Sequence, residues 1–220
     1  MKLFFFDTET TGVNPREDVI IQFGWIFWEF DPVLNVWEEK KRINQYINTD
    51  KHIPYQATCI HWITNDMLVE YEYIDYYIDQ FLSYLKKADY IIGHNISFDA
   101  NMLYYECKRL WISVDFFENL NFLDTMRPTS ELVNGRWWRW PKLKDLYRFL
   151  FWYDFENAHD AMADIEATRQ CFLELVKNTN IYDKDIPEKC MNNDIDISNE
   201  TEFEDDLYDW VMDEETCYYD

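Results

Sequence analysis

Basic residues are scarce in this chain, which carries 20 Lys and Arg against 43 Asp and Glu and has a formal net charge of −23. A protein that coats nucleic acid by neutralising many phosphates needs an excess of Lys and Arg. The composition therefore excludes a general nucleic-acid coat protein. It leaves open an enzyme that holds a few nucleotides through metal ions.

Long hydrophobic runs and paired cysteines are also missing. Only four apolar residues, Leu3 to Phe6, directly precede Asp7, too few for a secretory signal. The stretch 19–28 is about half as long as a bilayer span, and Gln22 interrupts it. The five cysteines form an odd set without CxxC spacing, which indicates neither a disulfide framework nor a zinc site. We therefore expect a soluble, cytoplasmic protein with reduced thiols and no membrane contact.

The chain nevertheless has ample apolar sequence for a folded core. Its 220 residues are 48% hydrophobic and 19% aromatic, which excludes a wholly disordered chain and suits one domain with an extension. The patterns predict strands at 2–6, 19–30, 40–47, 90–93 and 120–123, and helices from 74 and over 98–110, 143–150 and 161–176. Strands first and alternating elements later predict an α/β fold, with a mixed central β-sheet flanked by α-helices and an antiparallel meander of the first three strands.

The character of the sequence changes after Asn180. Residues 181–220 contain 15 Asp or Glu and two Lys, a net charge of −13, which leaves −10 for residues 1–180. We therefore predict one domain over 1–180 and an acidic tail over 181–220 that need not fold. A partner-docking helix is the alternative for the tail, because five apolar residues there have helix-like spacing: Phe203, Leu207, Tyr208, Trp210 and Val211.

Four carboxylates stand at positions where a core would avoid charge. Asp7 and Glu9 follow the first buried strand two residues apart and so share one face if the strand continues. Asp99 follows the strand that ends at Gly93, and Asp164 lies on the packing stripe of the 161–176 helix. Ordinary explanations remain open, since Asp7 and Glu9 suit a solvated turn and Asp99 suits the first turn of a helix capped by Ser97. Together, however, such residues suit a cation.

His159 lies five residues before Asp164, just outside a helix that Asp160 can cap. A solvated histidine is the ordinary interpretation, but this position also suits a general base carried beside a metal ligand. Carboxylates without a Cys or His cluster indicate Mg²⁺ or Mn²⁺ and argue against zinc. Two such ions and a proton acceptor are the parts of metal-assisted phosphodiester hydrolysis.

Three segments in this order resemble the exonuclease motifs of the DEDDh family: Asp7-Thr8-Glu9-Thr10-Thr11-Gly12, Gly93-His94-Asn95-Ile96-Ser97-Phe98-Asp99 and His159-Asp160-Ala161-Met162-Ala163-Asp164. The chain is similar to its DnaQ-like branch, which includes the proofreading epsilon subunit of bacterial DNA polymerase III and RNase T. The resemblance implies a ribonuclease H-like fold and 3′–5′ exonuclease activity. It implies Asp7, Glu9, Asp99 and Asp164 as ligands of two Mg²⁺ (or Mn²⁺) and His159 as the base.

The resemblance also implies substrate contacts, at Thr10, Thr11, His61 and Phe98. The expected substrate is the 3′ end of single-stranded or frayed DNA, as in proofreading, possibly with a DNA polymerase subunit as partner. RNA 3′-end trimming, as in RNase T, and a non-catalytic polymerase-docking module are the alternatives. One basic cluster on the acidic chain could steer a phosphate backbone or form an ordinary solvated loop: Arg136, Arg139, Lys142 and Lys144.

Glycine is the rarest residue relative to expectation. Average usage of about 7% would give roughly 15 glycines in such a chain, but it has 4 Gly and 10 Trp. Trp62, Trp111 and Trp152 stand where the DnaQ-like pattern usually has glycine at a turn. One hypothesis is that the natural host reads UGA codons as glycine, in which case 136–140 is a glycine-rich basic loop. The alternative is a genuinely tryptophan-rich protein.

Overall fold

A computed structural model describes residues 1–136, 139–156 and 159–178. The strands are β1 (Lys2–Thr10), β2 (Ile20–Asp31), β3 (Val36–Tyr46), β4 (Tyr90–Gly93) and β5 (Phe122–Asp124). The helices are α1 (Tyr55–His61), α2 (Asn65–Leu68), α3 (Ile74–Leu85), α4 (Ile96–Arg109), α5 (Ser130–Asn134), α6 (Leu143–Phe151) and α7 (Ala161–Asn178), with short 3-10 turns at Asp115–Asn119 and Arg127–Thr129. None of the helices in these ranges has the length and apolar character needed to cross a membrane.

The five strands form one mixed sheet in the order β3-β2-β1-β4-β5. β1, β2 and β3 pair antiparallel as the predicted meander, while β4 is parallel to both β1 and β5. The carboxyl ends of β1, β4 and β5 therefore meet at the same edge of the sheet. The predicted α/β class, with a mixed sheet flanked by helices, is confirmed.

The alternation of side chains along β1 builds the two layers of the core. Phe4 and Phe6 face α3 and α4 and pack with Trp25 and Phe81. Leu3 and Phe5 face α6 and α7, where Phe5 meets Phe172 edge to face. Since successive strand residues alternate between faces, Asp7 and Glu9 point to the α7 side of the sheet.

Gly24 allows α7 to lie close against β2. A Cβ atom at this position would stand 2.6 Å from Ile165 Cδ1 and 3.2 Å from the carbonyl carbon of Ala161. A side chain here would force Ile165 and the start of α7 to shift, so glycine favours this close approach. The first turns of α7 are thereby seated on the sheet next to the ends of β1 and β2.

Most element boundaries differ from the predicted ones by a few residues. β3 begins at Val36 rather than at residue 40, because the Asp31 carboxylate accepts hydrogen bonds from the backbone N–H groups of Val33 and Leu34 and closes a tight turn. The predicted 120–123 strand lies at Phe122–Asp124. The predicted tail at 181–220 lies outside the described residues.

Candidate active site

Three carboxylates converge at the carboxyl end of β1. Asp7 and Glu9 extend beyond the pairing of β1 with β4, which ends at Phe5, and Asp164 comes from the first turn of α7. One carboxylate oxygen from each of the three residues lies within 4.8 Å of the other two. The seating of α7 on β2 brings these residues together from opposite ends of the sequence.

The three carboxylates crowd one another in a poorly solvated place. Burial, followed by the negative charges of Asp99 and Asp164, raises the pKa of Asp7 well above its usual range. Burial and then Asp164 and Asp99 do the same to the pKa of Glu9. Burial also raises the pKa of Asp164 to about 7. A group of acids that resists ionisation in this way fits a divalent cation, which accepts oxygen ligands and neutralises their charge.

Asp99 lies beside this group but not within it. Its Oδ1 accepts hydrogen bonds from the Thr8 backbone N–H at 2.9 Å and from Thr8 Oγ1 at 2.7 Å. Because β4 ends before this point, the Asp99 carboxylate occupies the edge of β1 that β4 leaves unpaired. Burial raises its pKa to about 7. Ser97 does not cap the helix as the alternative interpretation required, because α4 begins one residue before it and has Asn95 at the N-cap, without a side-chain cap.

His159 sits directly before α7 with a left-handed backbone, φ 69°. Its backbone N–H, not its ring, contacts Asp164, at 3.3 and 3.2 Å from the two carboxylate oxygens. The residue is exposed, and partial desolvation with the positive charges of Lys142 and Lys144 lowers the pKa of its ring. The neutral imidazole, the form that can accept a proton, is therefore favoured. Asp160 caps α7 as predicted, accepting from the N–H groups of Met162 and Ala163.

The four residues with implied substrate contacts are placed differently. His61 is buried beside the Thr10 backbone and near His159, and burial lowers its pKa to about 4. The Thr10 hydroxyl donates to the Gly12 carbonyl at 2.7 Å. Thr11 is fully buried and its hydroxyl binds within the following loop, donating to Asp18 Oδ1 and accepting from Val19 N–H.

Phe98 is half-buried and packs against the α3 and α4 side of the core. Its ring is thus part structural and part accessible. Of the basic cluster, Lys142 and Lys144 lie close enough to act on the charge state of His159. They follow Pro141, whose carbonyl oxygen lies 3.0 Å from His94 Nε2.

Two buried polar residues near the site were not recognised from the sequence. Gln22 on β2 donates to Asp160 Oδ2 at 3.3 Å, and Asp124 at the end of β5 accepts from the backbone N–H groups of Asn95 and Met126, both at 2.9 Å. Signals for both existed, since Gln22 interrupts an apolar run and Asp124 ends a buried strand. The Asp124 hydrogen bonds hold the turn that precedes α4, the helix on which Asp99 lies.

Comparisons with known proteins agree with this geometry. A family model described as Exonuclease (RNase_T) matches residues 4–172. The DNA polymerase III subunit epsilon of Rickettsia conorii is 25% identical over 207 residues, covering 92% of this chain and 86% of that protein. The corresponding subunit of Buchnera aphidicola is 28% identical over 164 residues, covering 72% and 65%.

Among solved structures, E. coli exonuclease I in complex with a dT13 oligonucleotide superposes with a TM-score of 0.65 at 21% identity, covering 81% of this chain. The match spans only 41% of the exonuclease I chain. This likeness confirms the ribonuclease H-like fold. The exonuclease family is metal-dependent, and the acidic group of Asp7, Glu9 and Asp164 could hold a metal ion. The chain therefore belongs to the exonuclease family, in the DnaQ-like 3′–5′ branch that its three motifs resemble.

Proposed function

We propose that this chain is a 3′–5′ exonuclease that hydrolyses phosphodiester bonds at the 3′ ends of single-stranded or frayed DNA. The observation that carries the proposal is the convergence of the carboxylate oxygens of Asp7, Glu9 and Asp164 within 4.8 Å of one another. Asp99 and His159 lie directly beside them. A purely structural role has no use for this set, because crowded buried acids destabilise a fold that holds no cation.

Asp7, Glu9, Asp99 and Asp164 would hold two Mg²⁺ or Mn²⁺ ions, with Asp7 shared between them. Bound there, the ions would supply charge stabilisation for the attacking and leaving oxygens of the phosphodiester. The protein's own contribution is to fix four carboxylates on three separate elements, β1, α4 and α7. Such prior positioning removes most of the reorganisation that the reaction would otherwise require.

His159 would take the proton of the attacking water. The residue is exposed, and the lowered pKa of its ring favours the neutral imidazole near pH 7. The backbone contact to Asp164 holds this residue at a fixed distance from the acidic group. A base that is held beside the acids and is free to accept a proton meets both requirements for general-base catalysis.

DNA is the substrate that the relatives favour. The epsilon subunits are named as parts of a DNA polymerase, and exonuclease I is seen with a dT13 oligonucleotide. Here Phe98 would offer a stacking face for a terminal base, and Thr10, Thr11 and His61 would be the further substrate contacts that the resemblance implies. A polymerase subunit is the proposed partner, which would place the enzyme in the cytoplasm, with residues 1–180 as the exonuclease domain and the acidic segment 181–220 outside it.

A 5′-labelled single strand tests the proposal. A 3′-end exonuclease gives a ladder that shortens from the unlabelled end, whereas an endonuclease gives internal fragments and a docking module leaves the strand intact. Matched DNA and RNA strands in Mg²⁺ or Mn²⁺ compare proofreading-like with RNA-trimming activity by relative rate. Asp164→Ala is the inactive control. Intact DNA and RNA after incubation with the folded wild-type chain would contradict the proposal.

A further inference from the structure

Gln22 is buried beside the acidic group, and its side-chain amide donates hydrogen bonds to other residues than these carboxylates. It lies on β2 directly opposite Glu9 and is 1% exposed. Its side-chain Nε2 donates to Asn44 Oδ1 on β3 at 2.8 Å and to Asp160 Oδ2 at 3.3 Å. A buried amide is costly unless it is hydrogen-bonded, and here one bond runs to β3 and the other to the start of α7.

Asp160 connects this amide to the helix that carries Asp164. Its second oxygen, Oδ1, accepts from the N–H groups of Met162 and Ala163, each at 3.1 Å. Its backbone carbonyl accepts from Asp164 N–H at 3.0 Å. One side chain thus caps α7 and ties its first turn to the sheet.

The geometry points to Gln22 and Asp160 as positioning residues that set the distance between Asp164 and the sheet carboxylates, an inference that rests on the proposed metal-dependent function. Glu9 and Asp164 repel each other when both are charged, and this repulsion pushes the start of α7 away from β1. The hydrogen-bonded chain Asn44, Gln22, Asp160 opposes that displacement. Groups behind metal ligands commonly have this orienting role.

Two substitutions separate positioning from helix capping. Gln22→Leu removes the side-chain amide and replaces it with an apolar side chain of similar size. Asp160→Ser keeps a good N-cap but is too short to reach Gln22. Gln45→Leu is the matched control, since Gln45 is a half-buried glutamine on β3 whose side chain donates to the adjacent Tyr46 carbonyl.

The readouts are Mn²⁺ affinity of the full chain without DNA, by electron paramagnetic resonance, and the Mn²⁺ concentration for half-maximal cleavage. Gln22→Leu and Asp160→Ser should weaken both by about 10-fold or more. Gln45→Leu should stay near wild type. Unchanged Mn²⁺ affinity with a lowered melting temperature would overturn the positioning role. If the two variants bind Mn²⁺ more weakly but the wild type cuts no nucleic acid, the positioning role stands and only the proposed function is overturned.

Three tryptophans adopt a backbone conformation that tryptophan disfavours. Trp62, Trp111 and Trp152 have φ values of 61°, 59° and 69°, and they make up half of the six non-glycine residues with positive φ in the described ranges. Their side chains are 66%, 95% and 89% exposed, so the indoles gain little from packing.

Each of the three ends a helix. The N–H of Trp62 donates to the Thr58 carbonyl at 2.8 Å and that of Trp152 to the Arg148 carbonyl at 2.9 Å, and both are C-caps in the left-handed conformation. Trp111 follows α4 by two residues. The left-handed position after a helix is where glycine is favoured, because it has no Cβ to clash. By contrast, Trp25 is 1% exposed and stacks on Phe4 in the core.

We infer that the natural protein has glycine at positions 62, 111 and 152, and that its host decodes UGA as glycine. The inference joins two unrelated observations, the left-handed backbone at these sites and the composition of 4 Gly against 10 Trp. Trp25 marks the opposite case, a tryptophan whose indole fills the core.

The gene tests this directly. TGA codons at 62, 111 and 152, with TGG at position 25, are expected, and TGG at all four positions would overturn the inference. Stability gives a second test, in which Trp111→Gly should raise the melting temperature by about 2–4 °C. Trp111→Ala removes the same exposed indole without favouring the left-handed backbone. Equal melting temperatures of the two variants would contradict the conformational argument, while Trp25→Gly should lower the melting temperature by opening a cavity.

Discussion

At the scale of single residues, the proposed reaction gives the backbone and the ring of His159 different roles. The backbone N–H contacts Asp164, whereas the ring would accept the proton of the attacking water. His159→Ala should therefore lower kcat by about 10²–10⁴-fold, the usual contribution of a general base, while Mn²⁺ binding persists because alanine keeps the N–H contact. Single-turnover cleavage and direct Mn²⁺ titration measure the two effects. His52→Ala, at an exposed histidine elsewhere, is the control, and a His159→Ala rate equal to wild type would exclude the base.

The acidic residues make stability depend on pH when metal is removed. Burial raises the folded-state pKa of both Asp99 and Asp164 to about 7, against about 3.9 for an unfolded aspartate. The native state then binds protons more tightly, so this contribution is fully present below about pH 4 and is lost as the pH rises through about 7. Urea unfolding at a series of pH values, with a chelator present to remove metal, measures this pH dependence of the free energy of unfolding.

Substitution isolates this effect from other titrating groups, such as Glu166, whose pKa the Arg169 and Arg42 contacts lower. Asp164→Asn should flatten the fall in stability between about pH 5 and pH 7. Asp7→Asn should remove much of the rise in melting temperature that Mg²⁺ or Mn²⁺ causes in the wild type. An unchanged metal response in Asp7→Asn would exclude Asp7 as the shared ligand.

At the scale of elements, the approach of α7 to β2 determines where Asp164 lies. Gly24→Ala would place a methyl group 2.6 Å from Ile165 Cδ1 and should cost about 1–3 kcal/mol of stability by overpacking. It should also weaken Mn²⁺ binding by shifting the start of α7. Gly135→Ala is the comparison, because its Cβ would meet nothing within 4 Å although its φ of 62° disfavours alanine. Weakened metal binding in both variants would contradict a specific role for Gly24.

The sequence predicted the long helices and missed the short ones for a physical reason. α3, α4, α6 and α7 have enough turns for their apolar residues to show a helical period. α1, α2 and α5 contain only seven, four and five residues, and tertiary packing holds such short pieces, as where Leu68 meets Ile21 and Ile63. Their formation depends on contacts that no local pattern contains.

The same limit applies to the candidate site, where local patterns reveal some residues and tertiary packing alone determines others. Asp7, Glu9 and Asp164 could be predicted to converge because each breaks an apolar pattern at a recognisable place. The bond between Gln22 and Asp160 could not, since it joins residues 138 positions apart and arises only from the way α7 crosses the sheet. The αL turns at the tryptophans were anticipated from the motif pattern and the composition.

At the scale of the whole molecule, all proposed catalytic residues precede position 165. A chain that ends at Asn180 should therefore retain its exonuclease rate per molecule, and the ladder assay with circular dichroism as the folding control measures this. Loss of 13 net negative charges with residues 181–220 should also strengthen DNA binding at low salt. A folded but inactive truncated chain would show that the tail contributes to the reaction.

The outermost strands of the sheet also bear on how copies of the chain meet. β3 is eleven residues long and forms one border of the sheet, and β5 forms the other with only three residues. The stretch 38–42 on β3 reads Glu-Glu-Lys-Lys-Arg, and charged edge strands resist pairing with another sheet. Charge on β3 and the short length of β5 therefore both oppose edge-to-edge pairing of sheets from different copies. We expect concentrated solutions to resist fibril formation as long as the fold is intact.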